Sequence, residues 1–286
     1  MTTALSDRDI AAAFLAACRA ELQALKPGNV HIHAGGHGMD IDHFERAATA
    51  AAPYIANPKL SVGQRILKAT DASYAATKTN VNLGIVLLCA PLAKAASEID
   101  AGMGLRRRLA VILAMLDSDD ADAAFAAIRL ANPAGLGNVA QGDVRNSQAG
   151  LTLIEAMFLA QDRDRIARAY VTAYEDIFDF ALPILIEARH NGVEDHLAIT
   201  TLHMSLLAAF PDSHIARKHG PSAATAVQTE AHNMRALWFP GISSNSMKTL
   251  MDFDAHLKSK GLNPGTTADF VVATLFADQI SSRKQP

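Results

Sequence analysis

From Ile10 through Phe14, Cys18 and Leu22 to Leu25, an apolar residue recurs at or near every fourth position, and the run stops at Pro27-Gly28. That spacing lays one apolar stripe along an α-helix, and the Pro-Gly pair ends the helix because proline lacks an N–H to continue it. Ser6 and Asp9 stand in front as a capping pair. The same kind of stripe returns at Leu105, Leu109, Ile112 and Leu116, and again at Ala273, Phe276 and Ile280. Alternating runs of β-branched residues, which a sheet needs, are missing. Breaks fall at Pro27-Gly28, Pro53 to Pro58, Asn132 to Gly142, Asn191-Gly192, Pro211 to Gly220, Pro240-Gly241 and Asn263 to Gly265. They divide the chain into about ten to twelve helices. With no repeat, linker or charge block, the expected fold is all-α, a single compact multi-helix domain over residues 1–286.

Half of the 286 residues are apolar, enough to bury a sizeable core. A net charge of −3 and 6% aromatics argue against a nucleic-acid partner, which calls for a basic field and stacking rings. Cys18 and Cys89 lie in apolar helical patterns and read as small core residues of a reducing compartment. The first residues lack the charged and apolar regions of a secretory signal. The longest apolar run, Leu83 to Ala93, is too short to span a bilayer. A soluble, cytoplasmic protein with no membrane partner is expected. Alanine-rich helices can support a homodimer, although no seam is readable.

Five polar clusters interrupt this apolar background. The first runs from Lys26-Pro27-Gly28-Asn29 through His31 and His33 to His37 and Asp40, among four glycines that let backbone approach a ligand closely. Its imidazoles suit zinc, but no cysteine or His-Glu helix motif supports a metal. Lys26, the glycine amides and the histidines suit a phosphate or nucleotide better. The second is Thr77 to Gly84, where Thr79 or Asn80 is placed to cap a helix and Lys78 stands beside its anion-attracting N-terminus. The third is the glycine-rich turn to Asp143 and Arg145, followed by Glu155. Its two carboxylates suit Mg²⁺, which takes a few carboxylates together with substrate phosphates. The fourth is Asp212 to Gly220, with His214, Arg217, Lys218 and His219. The fifth is Asn263 to Asp269. Each has an ordinary structural explanation in capping or helix-dipole pairing. Together they point to a convergent site for a polyanion, with Lys26, Lys78, Arg145, Arg217 and Lys218 for phosphates. By residue type His37 and His214 are candidate proton carriers, and Asp40, Asp143, Glu155, Asp212 and Asp269 are carboxylates that suit Mg²⁺.

In order, these clusters resemble the triphosphoribosyl-dephospho-coenzyme A synthase family from about Glu21 to Phe276. The family's Glu, then Pro-Lys-Pro-Gly and a Gly-rich His/Asp stretch, is similar to Glu21, Lys26 to Val30, and Gly36 to Asp40. Its Asn-Thr-His-Lys-Gly stretch lines up with Asn80 to Gly84, with Asn82-Leu83 where the family has His-Lys. Its Asp-Thr-Asn turn and following Arg-Gly line up with Asp212-Ser213-His214 and the basic run to Gly220. Its Ser-Pro-Gly-Gly-x-Ala-Asp stretch lines up with Asn263 to Asp269, with Thr266-Thr267 near the second glycine. The resemblance implies transfer of the triphosphoribosyl group of ATP to the 2′-hydroxyl of 3′-dephospho-coenzyme A, with release of adenine and with Mg²⁺ alongside ATP. It implies catalytic roles for Glu21, His37, Asp40 and His214. It implies substrate contacts for Gly28, Asn29, His31, His33, Asn80, Asn82, Asn263 and Gly265. A branch serving a pterin or furan one-carbon carrier, or a nucleotide-binding protein without turnover, are the alternatives. A helical metal-dependent phosphohydrolase would need a His-Asp pair, and the sequence has none.

Overall fold

Ser6 and Asp9 cap the first helix as their spacing predicts. The Ser6 hydroxyl donates to Asp9 at 2.6 Å and accepts the Asp9 N–H at 3.1 Å. Ile10, Phe14, Cys18, Leu22 and Leu25 are all buried along the face that this start establishes. The computed structural model describes residues 4–36, 38–98, 102–133, 150–239, 242 and 244–282. His37, Asp143 and Arg145 lie outside them.

The described helices are α1 (Asp7–Gln23), α2 (Ile41–Ala56), α3 (Val62–Thr77), α4 (Leu83–Ser97), α5 (Gly104–Ala114), α6 (Ser118–Ala131), α7 (Leu153–Ala160) and α8 (Arg165–Val171). A π-helical turn, Asp176–Ala181, follows, and then α9 (Leu182–His190), α10 (Asp195–Ala209), α11 (Ser213–His219), α12 (Pro221–Asn233), α13 (Arg235–Trp238), α14 (Ser244–Ser259) and α15 (Gly265–Ser282). The protein is all-α: among the described residues the only β pairings are isolated bridges within the loop after α1. Among the described residues, fifteen α-helices exceed the ten to twelve expected because α8, α11 and α13, of 7, 7 and 4 residues, are too short to show a helical period. Pro53 lies inside α2 instead of ending it, and α11 fills the expected break after Pro211. By its contacts the chain divides into two compact units. One comprises Met1–Cys18, His43–Glu175 and Leu275–Pro286, and the other Arg19–Asp42 and Asp176–Thr274.

In the first unit, α4 is buried over almost its whole length, as a helix apolar on every side must be. Pro91 in its middle removes the N–H that would bond the Leu87 carbonyl. The Tyr170 hydroxyl supplies the missing donor, reaching the Leu87 carbonyl at 2.7 Å, and Tyr174 donates to the Leu88 carbonyl at 3.0 Å. Tyr170→Phe should therefore lower stability by about 1–3 kcal/mol, the penalty for a buried carbonyl left unpaired. Denaturant unfolding measures this, and an unchanged midpoint would mean that another donor reaches Leu87.

Elsewhere in this unit α3 and α6 touch backbone to backbone. A Cβ on Gly63 would lie 2.5 Å from the Asp120 Cα, so only glycine fits. The Asp120 carboxylate accepts the Gly63 N–H at 2.6 Å and the Ser61 hydroxyl at 2.7 Å. Arg65, fully buried, closes the end of α2 by donating to the Ile55 carbonyl at 2.6 Å. The Phe14 and Phe276 rings meet edge to face at 6.0 Å.

The second unit has its own apolar core, in which Leu25 meets Met204, Leu207, Ile215, Val227, Trp238, Leu250, Phe253 and Leu257. These side chains come from the loop after α1 and from α10 to α14. They form the floor on which three of the five polar clusters stand.

Candidate functional site

Lys26-Pro27-Gly28-Asn29 is a tight turn whose chemistry is readable residue by residue. The Asn29 N–H returns to the Lys26 carbonyl at 2.9 Å, and Gly28 has φ +84°. Proline at the second position and a positive-φ glycine at the third are what a type II turn requires. Gly28 is fixed by packing as well, since a Cβ there would lie 2.7 Å from Pro264 Cδ.

The turn carries two buried ionic groups. The Lys26 ammonium pairs with the Glu21 carboxylate and donates to Asn29 Oδ1 at 3.2 Å and to the Val30 carbonyl. Both members are buried. Burial pushes Glu21 up and Lys26 down, and their mutual attraction opposes both shifts. Glu21 and Lys26 thus meet each other and the turn.

The second group centres on Asp254 of α14. Its carboxylate accepts the Gly28 N–H at 2.8 Å and the Lys258 ammonium at 2.9 Å, and lies 3.3 Å from His31 Nε2. The His33 N–H points to His31 Nδ1 at 3.2 Å, which makes Nδ1 the acceptor and assigns the proton of the neutral ring to Nε2, facing Asp254. Burial pushes the His31 ring down, against the pull of Asp254. Burial raises Asp254 in turn, but its bonds to His31, Lys258 and Gly28 outweigh that and hold it below the usual carboxylate range. Lys258 also donates to the Ala34 carbonyl at 3.2 Å, and its stem runs beneath Gly36, where a Cβ would lie 3.1 Å from Lys258 Cε.

The fourth and fifth clusters join the same unit. Asn29 Nδ2 donates to Asn263 Oδ1 at 2.8 Å. Asp212 caps α11 through the Ile215 N–H at 3.0 Å, while its other oxygen takes the Thr267 N–H and hydroxyl, each at 2.8 Å. One buried carboxylate thus serves the N-termini of α11 and α15; burial pushes it up, and these bonds pull the other way. The His214 ring lies against Gly265, where a Cβ would meet Nδ1 at 2.6 Å. Arg217, His214 and Asp269 are partly exposed, and Lys218, His33 and Asp40 are exposed.

The remaining candidates belong to the first unit. Glu155 is exposed and closes a capping box with Thr152, whose N–H and hydroxyl reach its carboxylate at 2.9 and 2.8 Å and hold it below the usual carboxylate range. Lys78 is exposed and ends α3 in the left-handed conformation. The N-cap of α4 is Asn82, not Thr79 or Asn80, and its side chain makes no cap bond. Among the described residues no group of three His, Cys, Asp or Glu side chains is arranged to hold a metal ion.

Three residues of the second unit carry no local sequence signal: Asp254, Lys258 and His203. His203 of α10 is fully buried, and its ring nitrogens make no hydrogen bond of normal geometry; the Pro27 backbone is the one polar contact that pulls its protonation upward. Burial, with the Lys26 charge in the same direction, pushes it down to about 3.

An all-helical fold with a buried polar knot behind glycine-rich turns defines the class of this protein, and comparison with known proteins narrows it. The model of the family described as CitG, ATP:dephospho-CoA triphosphoribosyl transferase, matches residues 7–286. The chain belongs to that family, and it is a transferase of the triphosphoribosyl-dephospho-CoA synthase type. The fold is similar to the crystal structure of an Archaeoglobus fulgidus protein assigned as a triphosphoribosyl-dephospho-CoA synthase. The two are 23% identical with a TM-score of 0.64, covering 83% of this chain and 99% of that one. No curated protein sequence matches. No helix of the described residues is long and apolar enough to cross a membrane.

Proposed function

We propose that the protein joins the 2′-hydroxyl of 3′-dephospho-coenzyme A to C1 of the ATP ribose. The new C1–O bond forms as the bond from C1 to adenine breaks. The hydroxyl proton is passed on and adenine leaves protonated, while the triphosphate stays on the transferred ribose. Family membership over residues 7–286 carries this reading. It is supported by the meeting of Asn29 with Asn263, and of His214 and Asp212 with the start of α15, in one unit.

In this reading the buried pairs hold the loops, and the more exposed side chains meet substrate. Lys26 and Glu21 lock the turn, and Asp254, His31 and Lys258 lock the following segment. Arg217 and Lys218 take phosphate oxygens. His214 and Asp40 move the proton. Asp269 stabilises the oxocarbenium-like charge at C1, as carboxylates do in related glycosyl chemistry. Mg²⁺ enters with ATP: Asp212 and Glu155 already spend their oxygens on backbone and hydroxyl donors, so they are poor candidates for a separate metal set. A cytoplasmic location belongs to the same reading, since both substrates are free nucleotides.

Adenine release is the test. MgATP with 3′-dephospho-coenzyme A should liberate adenine in proportion to acceptor, and omission of acceptor should reduce it at least tenfold. Equal release with and without acceptor would contradict the proposed acceptor.

A further inference from the structure

The N-terminus of α4 is short of acceptors in a way that ordinary capping does not explain. The first backbone bond of the helix runs from the Val86 N–H to the Asn82 carbonyl at 2.9 Å. The Leu83 N–H has only a long contact of 3.4 Å to Asn80 Oδ1. Among the described residues no acceptor is found for the Gly84 or Ile85 N–H, the donors that an N-cap side chain normally satisfies. Asn82 is more than nine-tenths buried, yet its side chain caps nothing and Nδ2 has no hydrogen-bond partner. Three donors are therefore gathered at the positive end of a 15-residue helix with nothing to receive them.

The connecting turn holds this end in place and carries no acidic residue of its own. Lys78 turns left-handed and closes α3 onto the Tyr74 carbonyl at 2.8 Å, and the Thr77 hydroxyl reaches the Ser73 and Thr79 carbonyls at 2.8 and 2.9 Å. No aspartate or glutamate occurs between Asp71 and Glu98, whereas Lys78 stands on the connecting turn. Gly84 is only partly covered, which leaves a way in.

We propose that Asn82 Nδ2 and the Gly84 and Ile85 amides form a phosphoryl-binding pocket that holds part of a polyphosphate chain. Fixed N–H donors at a helix N-terminus match phosphate oxygens in charge and geometry. The uncharged Asn82 amide adds a donor without holding the product by a full ionic bond. The inference rests on the reading that the substrate carries a triphosphate.

The test uses the full chain and inorganic tripolyphosphate, with binding followed by calorimetry beside thermal melts. The wild type should bind tripolyphosphate more tightly than orthophosphate. Asn82→Asp should weaken binding at least tenfold through repulsion, while the melting temperature stays level or rises, because aspartate is a good N-cap. Asn82→Ala should weaken binding less, about threefold to tenfold. Full tripolyphosphate affinity in Asn82→Asp, or no wild-type binding, would overturn the pocket. Adenine release without tripolyphosphate binding would remove the pocket and leave the proposed reaction standing. Tripolyphosphate binding without adenine release would do the reverse.

Discussion

Lys26→Met should lower the unfolding free energy by about 3–5 kcal/mol, the usual consequence of leaving one member of a buried ion pair without its partner. Glu21 would be stranded in a site that already disfavours its charge, and the Val30 carbonyl would lose its donor. Glu21→Leu combined with Lys26→Met should recover most of that loss, because the apolar pair removes both desolvation penalties. Recovery stays incomplete to the extent that Val30 and Asn29 remain short of a donor. Urea midpoints of the wild type, both single variants and the double variant measure the coupling. A single-variant effect under about 1 kcal/mol would mean that Lys26 is not held by Glu21 in solution.

Acid should loosen the second unit, with His203 as the largest contributor. Its folded value of about 3 lies below the ordinary histidine value, so the unfolded chain binds the proton first. The penalty is absent above about pH 6.5, grows as pH falls below it, and levels off near the folded value. At pH 5 it amounts to about 2 kcal/mol. His31, also shifted down, acts in the same direction. Asp254, held low, adds a loss only below the ordinary carboxylate range. His203→Leu should change stability little at neutral pH, since the ring makes no hydrogen bond of normal geometry and has only the Pro27 backbone as a polar contact, and should remove its share of the acid loss. Denaturant midpoints at pH 7.5 and 5 decide this. Parallel pH dependence in variant and wild type would show that His203 is solvated or already paired.

Much of the helical frame is local and was legible. The α1 stripe, the Ser6–Asp9 cap and the Pro27-Gly28 stop need only neighbours within a turn or two, and the structure follows them. The type II turn at Lys26 to Asn29 is likewise written in its proline and glycine. Pro53 broke this local logic because α2 continues through it to Ala56. The α4 cap moved to Asn82 because α3 persists to Thr77 and the turn consumes the next residues.

What the sequence hid is long-range. Asp254 contacts Gly28 across 226 positions, and the α14 segment around it carries no motif. Lys258 looks like a surface lysine until its stem is seen under Gly36. Asp212 was a candidate metal ligand on residue type alone, whereas the fold engages it at two helix N-termini. A carboxylate's job depends on which donors reach it, and only packing determines that.

The mass of the acceptor product tests the proposed transfer most directly. After incubation of the full chain with MgATP and 3′-dephospho-coenzyme A, chromatography with mass spectrometry should find one adduct. Its mass should equal acceptor plus ATP minus adenine, with all three phosphates retained. An acceptor that emerges unchanged, or that carries a phosphoryl or adenylyl group with adenine still attached, would contradict it.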